Sequence, residues 1–416
     1  MLAFMKKSSR TIYLICVTVL IEVIGFSMII PILPLMFTEP DSNIFVLSQN
    51  SSETFQYIML GFLFATYTIG QFFSNPIFGQ LSDRYGRRLL LGSAIFGTSL
   101  SNFVFAFGAL IMSLPILIGA RLFDGITGGS IAIAQAVGAD ISTPQERAKN
   151  FGLIGASLGI GFMMGPLLGG VLSDPAIVSW FGAPFAFAIS GLLSLINVFF
   201  IYKFLPETSP LEQNTDMNLF RSIKNIGRAF LNDTTRYIYS LSFLYSFGFT
   251  MFTTFFGVYL VQQLGYTQSN IGFFFFYLGL LIVPFQIFLV PFADKNLKQI
   301  TNLILGFIGL ALSLLIIAYT TETILLLLIT ILFSASNAIA RTSITTVVSK
   351  KATAKSQGSA LGVNASVQSL GQAIPAIIAG LLAAVFGSSS PIIFASVTFA
   401  LGTTLLIVFR KKITTD

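Results

Sequence analysis

"GQLSDRYGRRLLLG", residues 79–92, sets one aspartate and three arginines into a short turn between two long apolar runs. Those runs, near 56–80 and 88–110, each reach the ~20 residues a helix needs to cross the hydrocarbon core of a bilayer. The charges mark a place where the chain leaves an apolar phase and promptly re-enters it. The same rhythm fills the whole sequence. Further runs lie near 11–37, 114–140, 149–172, 181–204, 236–263, 269–293, 298–320, 322–348, 356–385 and 390–410, twelve in all.

Composition requires the same reading. Of 416 residues, 54% are hydrophobic and 9% are charged, whereas a soluble domain carries ~25% charged residues. Such a chain cannot cover a globule with polar surface, so it is expected to be an all-α integral membrane protein. The opening "MKKSSRTIYLICVTVL" has the look of a cleaved leader, but its apolar run continues past Glu22 to Phe37 without a small-residue cleavage site. It reads as the first helix. A single cysteine, Cys16, excludes an internal disulfide and any cysteine metal cage, and no metal site is expected.

With the N-terminus placed in the cytoplasm, all but two of the 23 Lys and Arg fall in cytoplasmic segments. The exceptions, Arg121 and Arg341, lie inside apolar runs. A bias this complete is the positive-inside rule. It assigns the +7 net charge to topology rather than to a nucleic-acid face. The expected setting is the plasma membrane of a bacterium (its inner membrane), multi-pass, with both termini cytoplasmic. The expected partners are the lipid bilayer, protons and a small-molecule substrate, with no nucleic acid, and the chain is expected to be a monomer.

One long polar connector, 206–235, divides an N-terminal six-helix bundle, 1–205, from a C-terminal one, 236–416. Within it "LFRSIKNIGRAF" places Leu219, Ile223, Ile226 and Phe230 at helical spacing opposite Arg221, Lys224 and Arg228. That pattern fits a short amphipathic helix on the inner membrane surface; an ordinary solvated linker is the alternative. The halves echo each other. "GQLSDRYGRR" returns as "VPFADKNLKQ" (290–299), and "GLIGASLGIGFMMGPLLGG" (152–170) has a weak echo in "LGVNASVQSLGQAIPAIIAG" (361–380). Two pseudo-symmetric bundles with a site near the membrane midplane are a transporter architecture.

The turn at 79–88 resembles the loop pattern G-x-L-x-D-R-x-G-R-R of the major facilitator superfamily at every fixed position. The resemblance implies that family's fold and a cytoplasmic latch built from Gly79, Asp83, Arg84, Gly86 and Arg87, with Asp140 as partner for Arg87. The fifth run carries Gly152, Gly161, Gly165, Pro166, Gly169 and Gly170, a spacing similar to the antiporter motif of the superfamily's drug:proton exporters. "IGFSMIIPILP" (24–34), "APFAFAISG" (183–191) and "LPETSP" (205–210) resemble the twelve-helix drug antiporters, the tetracycline exporters among them.

Four ionisable groups lie deep in apolar runs: Glu22, Arg121, Asp124 and Arg341. Each costs ~2.5–3.5 kcal/mol at a helix centre, which marks function by default. Arg341 has an alternative, reaching the inner interface along its stem. Arg121 and Asp124, three apart, are either a structural pair or members of a proton path. Arg121 and Gly125 match the family's R-x-x-x-G pattern, which the resemblance links to proton transfer; Asp124 departs from that pattern. Without histidine, carboxylates must carry any proton, with Glu22 beside Arg121 as the expected centre. Candidate cavity residues are Gln71, Tyr245, Gln286, Asn337, Arg341, Gln368 and Gln372, together with inward-facing phenylalanines.

No cofactor is expected beyond the proton gradient, since a phosphate-binding G-x-x-x-x-G-K-[ST] loop is absent. The chain is expected to be a proton-coupled exporter of amphipathic, drug-like molecules and not an enzyme. A transporter of a siderophore, amino acid or other metabolite, including an importer, is the alternative.

Overall fold

The computed structural model describes residues 2–143, 146–208, 227, 236–350 and 357–410. Among them are twelve helices long and apolar enough to cross a membrane, and no strand. They are α1 (Arg10–Thr38), α2 (Glu53–Asn75), α3 (Arg87–Leu110), α4 (Leu114–Asp140), α5 (Lys149–Ser173) and α6 (Ala183–Phe204). There follow α7 (Arg236–Leu264), α8 (Gln268–Asn296), α9 (Gln299–Ile317), α10 (Thr323–Val348), α11 (Ser366–Phe386) and α12 (Ser390–Val408). The chain is thus an all-helical, multi-pass membrane protein. The amphipathic helix expected near 219–230 falls, but for Gly227, outside the described residues.

Three spans are interrupted, each for a local reason. In α1 the helix stops at Ser27, four residues before Pro31, which has no N–H to give the Ser27 carbonyl and crowds it; it restarts at Ile29. In α4 it stops at Thr127 and restarts at Ser130, across the flexible pair Gly128–Gly129. In α8 a π-helical turn, Phe285–Leu289, lies between Pro284 and Pro291, neither of which can donate into a regular ladder.

The helices form two compact units. Unit one holds Met1–Asn50, Thr66–Leu219 and Thr267–Phe276; unit two holds Ser51–Ala65, Phe220–Tyr266 and Tyr277–Asp416. Each unit therefore takes in a helix end from the other half of the sequence. In unit one Ile15, Val19, Leu91, Ile95, Ile133, Val137 and Ile201 form the core where α1, α3, α4 and α6 meet. Buried hydroxyls link its helices: Thr18 to Asn197 Oδ1 at 3.1 Å, Ser99 to the Gly191 carbonyl at 2.8 Å, Ser101 to the Ala120 carbonyl at 2.6 Å. Such bonds contribute only ~0.6 kcal/mol each in a membrane, so close packing has to hold the helices together.

Unit two fills its core with rings. Phe252, Phe255, Phe256, Phe307, Phe333 and Phe399 are fully buried, and Phe252 meets Phe333 with centroids 4.8 Å apart. The phenylalanine-rich stretch of α7 is thus largely helix packing.

Each unit also contains a crossing, made by a helix end from the other half of the sequence, at which two glycines face each other. In unit one a Cβ on Gly272 of α8 would lie 2.6 Å from the Pro166 carbonyl oxygen and 3.3 Å from the Gly170 Cα of α5. In unit two a Cβ on Gly61 of α2 would lie 2.6 Å from the Ala376 oxygen and 3.1 Å from the Gly380 Cα of α11. No side chain fits at either crossing. Each has a polar clasp beside it: Ser269 donates to Asp174 in unit one, and Gln262 donates to Tyr57 Oη at 2.9 Å in unit two.

Candidate functional site

Glu22 stands in the middle of α1 and is 7% exposed. Its Oε2 accepts a 2.7 Å hydrogen bond from the Ser130 hydroxyl, while Oε1 has no hydrogen-bond partner among the described residues. Ser130 reaches it because α4 restarts at that residue after the Gly128–Gly129 break. The sequence expectation put Glu22 beside Arg121. The structure instead joins Arg121 Nη1 to Asp124 Oδ2 at 3.1 Å, with both residues at least 95% buried. Helical spacing explains the pairing, since residues three apart share a face. Asp124 also receives Thr98 and is near enough to repel the Glu22 carboxylate. The guanidinium lies 4.7 Å from the centroid of the Tyr67 ring, an attraction worth more once desolvated.

Tyr67 is brought there by the backbone. A Cβ on Gly125 would lie 3.0 Å from Gly70 Cα and against the Tyr67 carbonyl. Gly125, the glycine of the R-x-x-x-G pattern, thus lets α2 approach α4 closely enough for ring and guanidinium to meet. Gln71, one turn on, donates to Tyr67 Oη at 3.0 Å and to the Gly128 carbonyl at 3.4 Å. Tyr67, Thr98 and Ser130 were not singled out in the sequence. Only Tyr67, four residues from Gln71, had a spacing that pointed to it.

The six motif residues of α5 divide by partner. A Cβ on Gly161 would lie 2.8 Å from Val23 Cβ, one on Gly165 would lie 2.7 Å from the Ile24 oxygen, and one on Gly169 would lie 2.8 Å from Met28 Cα. This stripe, every fourth residue, seats the broken stretch of α1 that carries Glu22. Gly170 and the Pro166 carbonyl meet α8 instead, and Gly152 faces open space.

The turn at 79–88 forms a charged knot. Arg87 Nη2 lies 2.6 Å from Asp83 Oδ1, Arg87 Nε donates to Asp140 Oδ2 at 3.0 Å, and Nη1 donates to Ser82 at 2.6 Å. Gly86 has φ of +100°, a conformation that favours glycine. That turn presents the backbone N–H groups of Arg87 and Arg88 to Glu207 at 2.8 and 3.2 Å. Glu207, from "LPETSP", had not been singled out. Arg84 stacks on Tyr85 at 5.4 Å, and Gly79 faces open space.

In unit two three of the polar candidates, Tyr245, Asn337 and Gln368, are neutral and hydrogen-bonded. Tyr245 donates to Asn337 Oδ1 at 2.6 Å, Ser242 to Asn364 Oδ1 at 2.6 Å, and Gln368 to Ser242 at 3.4 Å. Gln286 is exposed on the π turn, Gln372 is half-buried, and Arg341 is exposed.

The sequence model of the Major Facilitator Superfamily matches residues 15–376. Tetracycline resistance protein, class B, of Escherichia coli is 28% identical over 377 residues, covering 90% of this chain and 88% of that protein. Multidrug resistance protein 2 of Bacillus subtilis is 27% identical over 425 residues, covering 98% of both. Among solved structures, a D-xylose-proton symporter superposes with a TM-score of 0.74 at 17% identity, covering 96% of this chain and 97% of that one.

Proposed function

The chain belongs to the major facilitator superfamily, and on that premise we propose that it is a proton-coupled antiporter exporting amphipathic, drug-like molecules by alternating access. The relatives named for tetracycline and multidrug resistance support the substrate class and direction. The observation that carries the coupling is Glu22: a buried carboxylate with one oxygen held by Ser130 and the other without a partner among the described residues. Ionised, it leaves a charged oxygen unsatisfied; protonated, it removes that cost. A carboxylate in such surroundings exchanges its proton when water reaches it from either side.

Asp124 acts differently. Its charge is matched by Arg121, so it serves as counter-ion while Glu22 carries the proton. A cationic substrate then competes with the proton for Glu22. One proton crossing ~100 mV supplies ~2.3 kcal/mol, enough for roughly a 50-fold gradient of a neutral substrate at ~1.36 kcal/mol per tenfold. The charged turn at Arg87 closes the cytoplasmic ends of α2, α3 and α4 on one another in one phase of the cycle. The protein sits in a bacterial inner membrane with both termini cytoplasmic, needs no cofactor beyond the proton gradient, and works as a monomer.

The test is rhodamine 6G transport by the full chain in sealed proteoliposomes under an imposed pH gradient. Wild type is expected to move the dye against its gradient with counterflow of protons, and Glu22→Gln to bind it without proton-driven movement. Proton-driven transport by Glu22→Gln at the wild-type rate would overturn the assignment.

A further inference from the structure

Arg341 lies in α10, roughly 10 Å short of the span's end at Val348 at 1.5 Å per residue. Its side chain is exposed, and no carboxylate pairs with it among the described residues. Exposure within a span would be costly if it faced lipid, and it does not. The exposed apolar residues of α10, Ile324, Leu325, Leu328, Ile331 and Leu332, form an arc centred about 140° round the helix from Arg341 at 3.6 residues per turn. Arg341 instead shares its face with Asn337 one turn earlier and with Ser334, which is fully buried and whose hydroxyl has no partner among the described residues. That face meets α7, where Tyr245 bonds Asn337 and is close enough to feel the Arg341 charge.

The chemistry of the face is one-sided. A guanidinium has five donors and no acceptor and stays charged throughout the accessible pH range. Tyr245 donates its hydrogen bond to Asn337 Oδ1, which leaves the guanidinium, the Asn337 amide and the Ser334 hydroxyl as the donors on that face. The Tyr245 ring stacks on Phe249 of the same helix with centroids 6.0 Å apart, an apolar surface next to the polar group. Planar bidentate recognition of a carboxylate is the task for which Arg is best suited.

We propose that Arg341, with Asn337 and Tyr245, forms a subsite in unit two that takes the carboxylate of an amphipathic substrate. Organic acids and zwitterions are then accepted as well as cations. This deepens the transporter reading and rests on it for its physiological meaning.

The test is equilibrium binding of two xanthene dyes of opposite charge, 5-carboxyfluorescein and rhodamine 6G, to the purified full chain in detergent, read by fluorescence anisotropy. Arg341→Gln is expected to weaken carboxyfluorescein at least tenfold while rhodamine 6G does not weaken. Arg341→Lys, which keeps the charge but not the planar fork, is expected to weaken carboxyfluorescein less than Arg341→Gln does. The proposal is overturned if wild type does not bind carboxyfluorescein, or if Arg341→Gln weakens it less than tenfold or weakens both dyes alike. It is also overturned if the lysine variant loses as much as the glutamine variant. Failure of the transporter reading registers elsewhere: wild-type vesicles that move neither dye under a pH gradient sink it and leave the binding result standing.

Discussion

The two compact units are built alike where helices touch and unlike where they bury polarity. Each has a glycine–glycine crossing with a polar clasp, Gly170 with Gly272 in one and Gly61 with Gly380 in the other. Their polar centres share little. Deep in its spans unit one buries Glu22, Arg121 and Asp124, of which the last two pair with each other and the first pairs with no cation among the described residues. Unit two buries a neutral network of Ser242, Tyr245, Asn337 and Asn364 and leaves its cation, Arg341, exposed. The cytoplasmic turns differ in the same sense. Asp83 pairs with Arg87, whereas its counterpart Asp294 accepts from the amides of Gln299 and Asn302 at 3.0 and 2.8 Å. Packing geometry was kept in both halves of this chain, while titratable chemistry is concentrated in one.

The sharpest way to break that contrast is to neutralise each centre in turn. Glu22→Gln is expected to lower proton-driven transport at least hundredfold and flatten its pH profile, while Tyr245→Phe leaves the pH profile unchanged. A flat profile in the tyrosine variant would erase the distinction between the units.

Asp124→Asn comes next. It strands a buried guanidinium, and removing one member of a buried pair costs about 3 kcal/mol or more. Thermal unfolding in detergent is expected to drop markedly, and to recover in Arg121→Met/Asp124→Met, where neither charge remains. A double variant no better than the single one would show that Asp124 does more than balance Arg121.

The shared feature is tested by Gly170→Val and Gly380→Val. Each forces a side chain against backbone, an overpacking cost of about 1–3 kcal/mol, and the two losses in thermal stability are expected to match. Unequal losses would mean the crossings are alike in geometry only.

The smallest effect belongs to Asn364→Ala. It removes one acceptor from the neutral network, about 1 kcal/mol, and stability is expected to fall slightly with transport retained. A loss as large as that of Asp124→Asn would place Asn364 in the transport machinery.

Much of this was legible beforehand because membranes impose one-dimensional rules. A bilayer of fixed thickness makes span length readable, and the cost of burying charge makes Glu22 and Arg121 conspicuous in apolar runs. The Arg121–Asp124 pair was also within reach, because three residues along a helix is a local distance. Ser130 was not: it lies 108 residues from Glu22, and a serine in an apolar run is too common to stand out. Glu207 was hidden for the same reason, since it meets the N–H groups of Arg87 and Arg88 well over a hundred residues away.

The glycine motif of α5 shows where the boundary falls. Its spacing announces close helix packing, and the period of four places Gly161, Gly165 and Gly169 on one stripe. That the stripe meets α1, and that Gly170, one residue and about 100° further round, meets α8 instead, depends on where those helices lie. The sequence by itself determined the number of spans, their lengths, the charges held in the apolar phase and the family likeness, because each follows from local hydropathy and spacing. The tertiary structure decided that Glu22 belongs to Ser130, that Tyr245 belongs to Asn337, and that Glu207 meets the turn at Arg87. Those outcomes depend on which helix faces are pressed together, and no single stretch of chain carries that information.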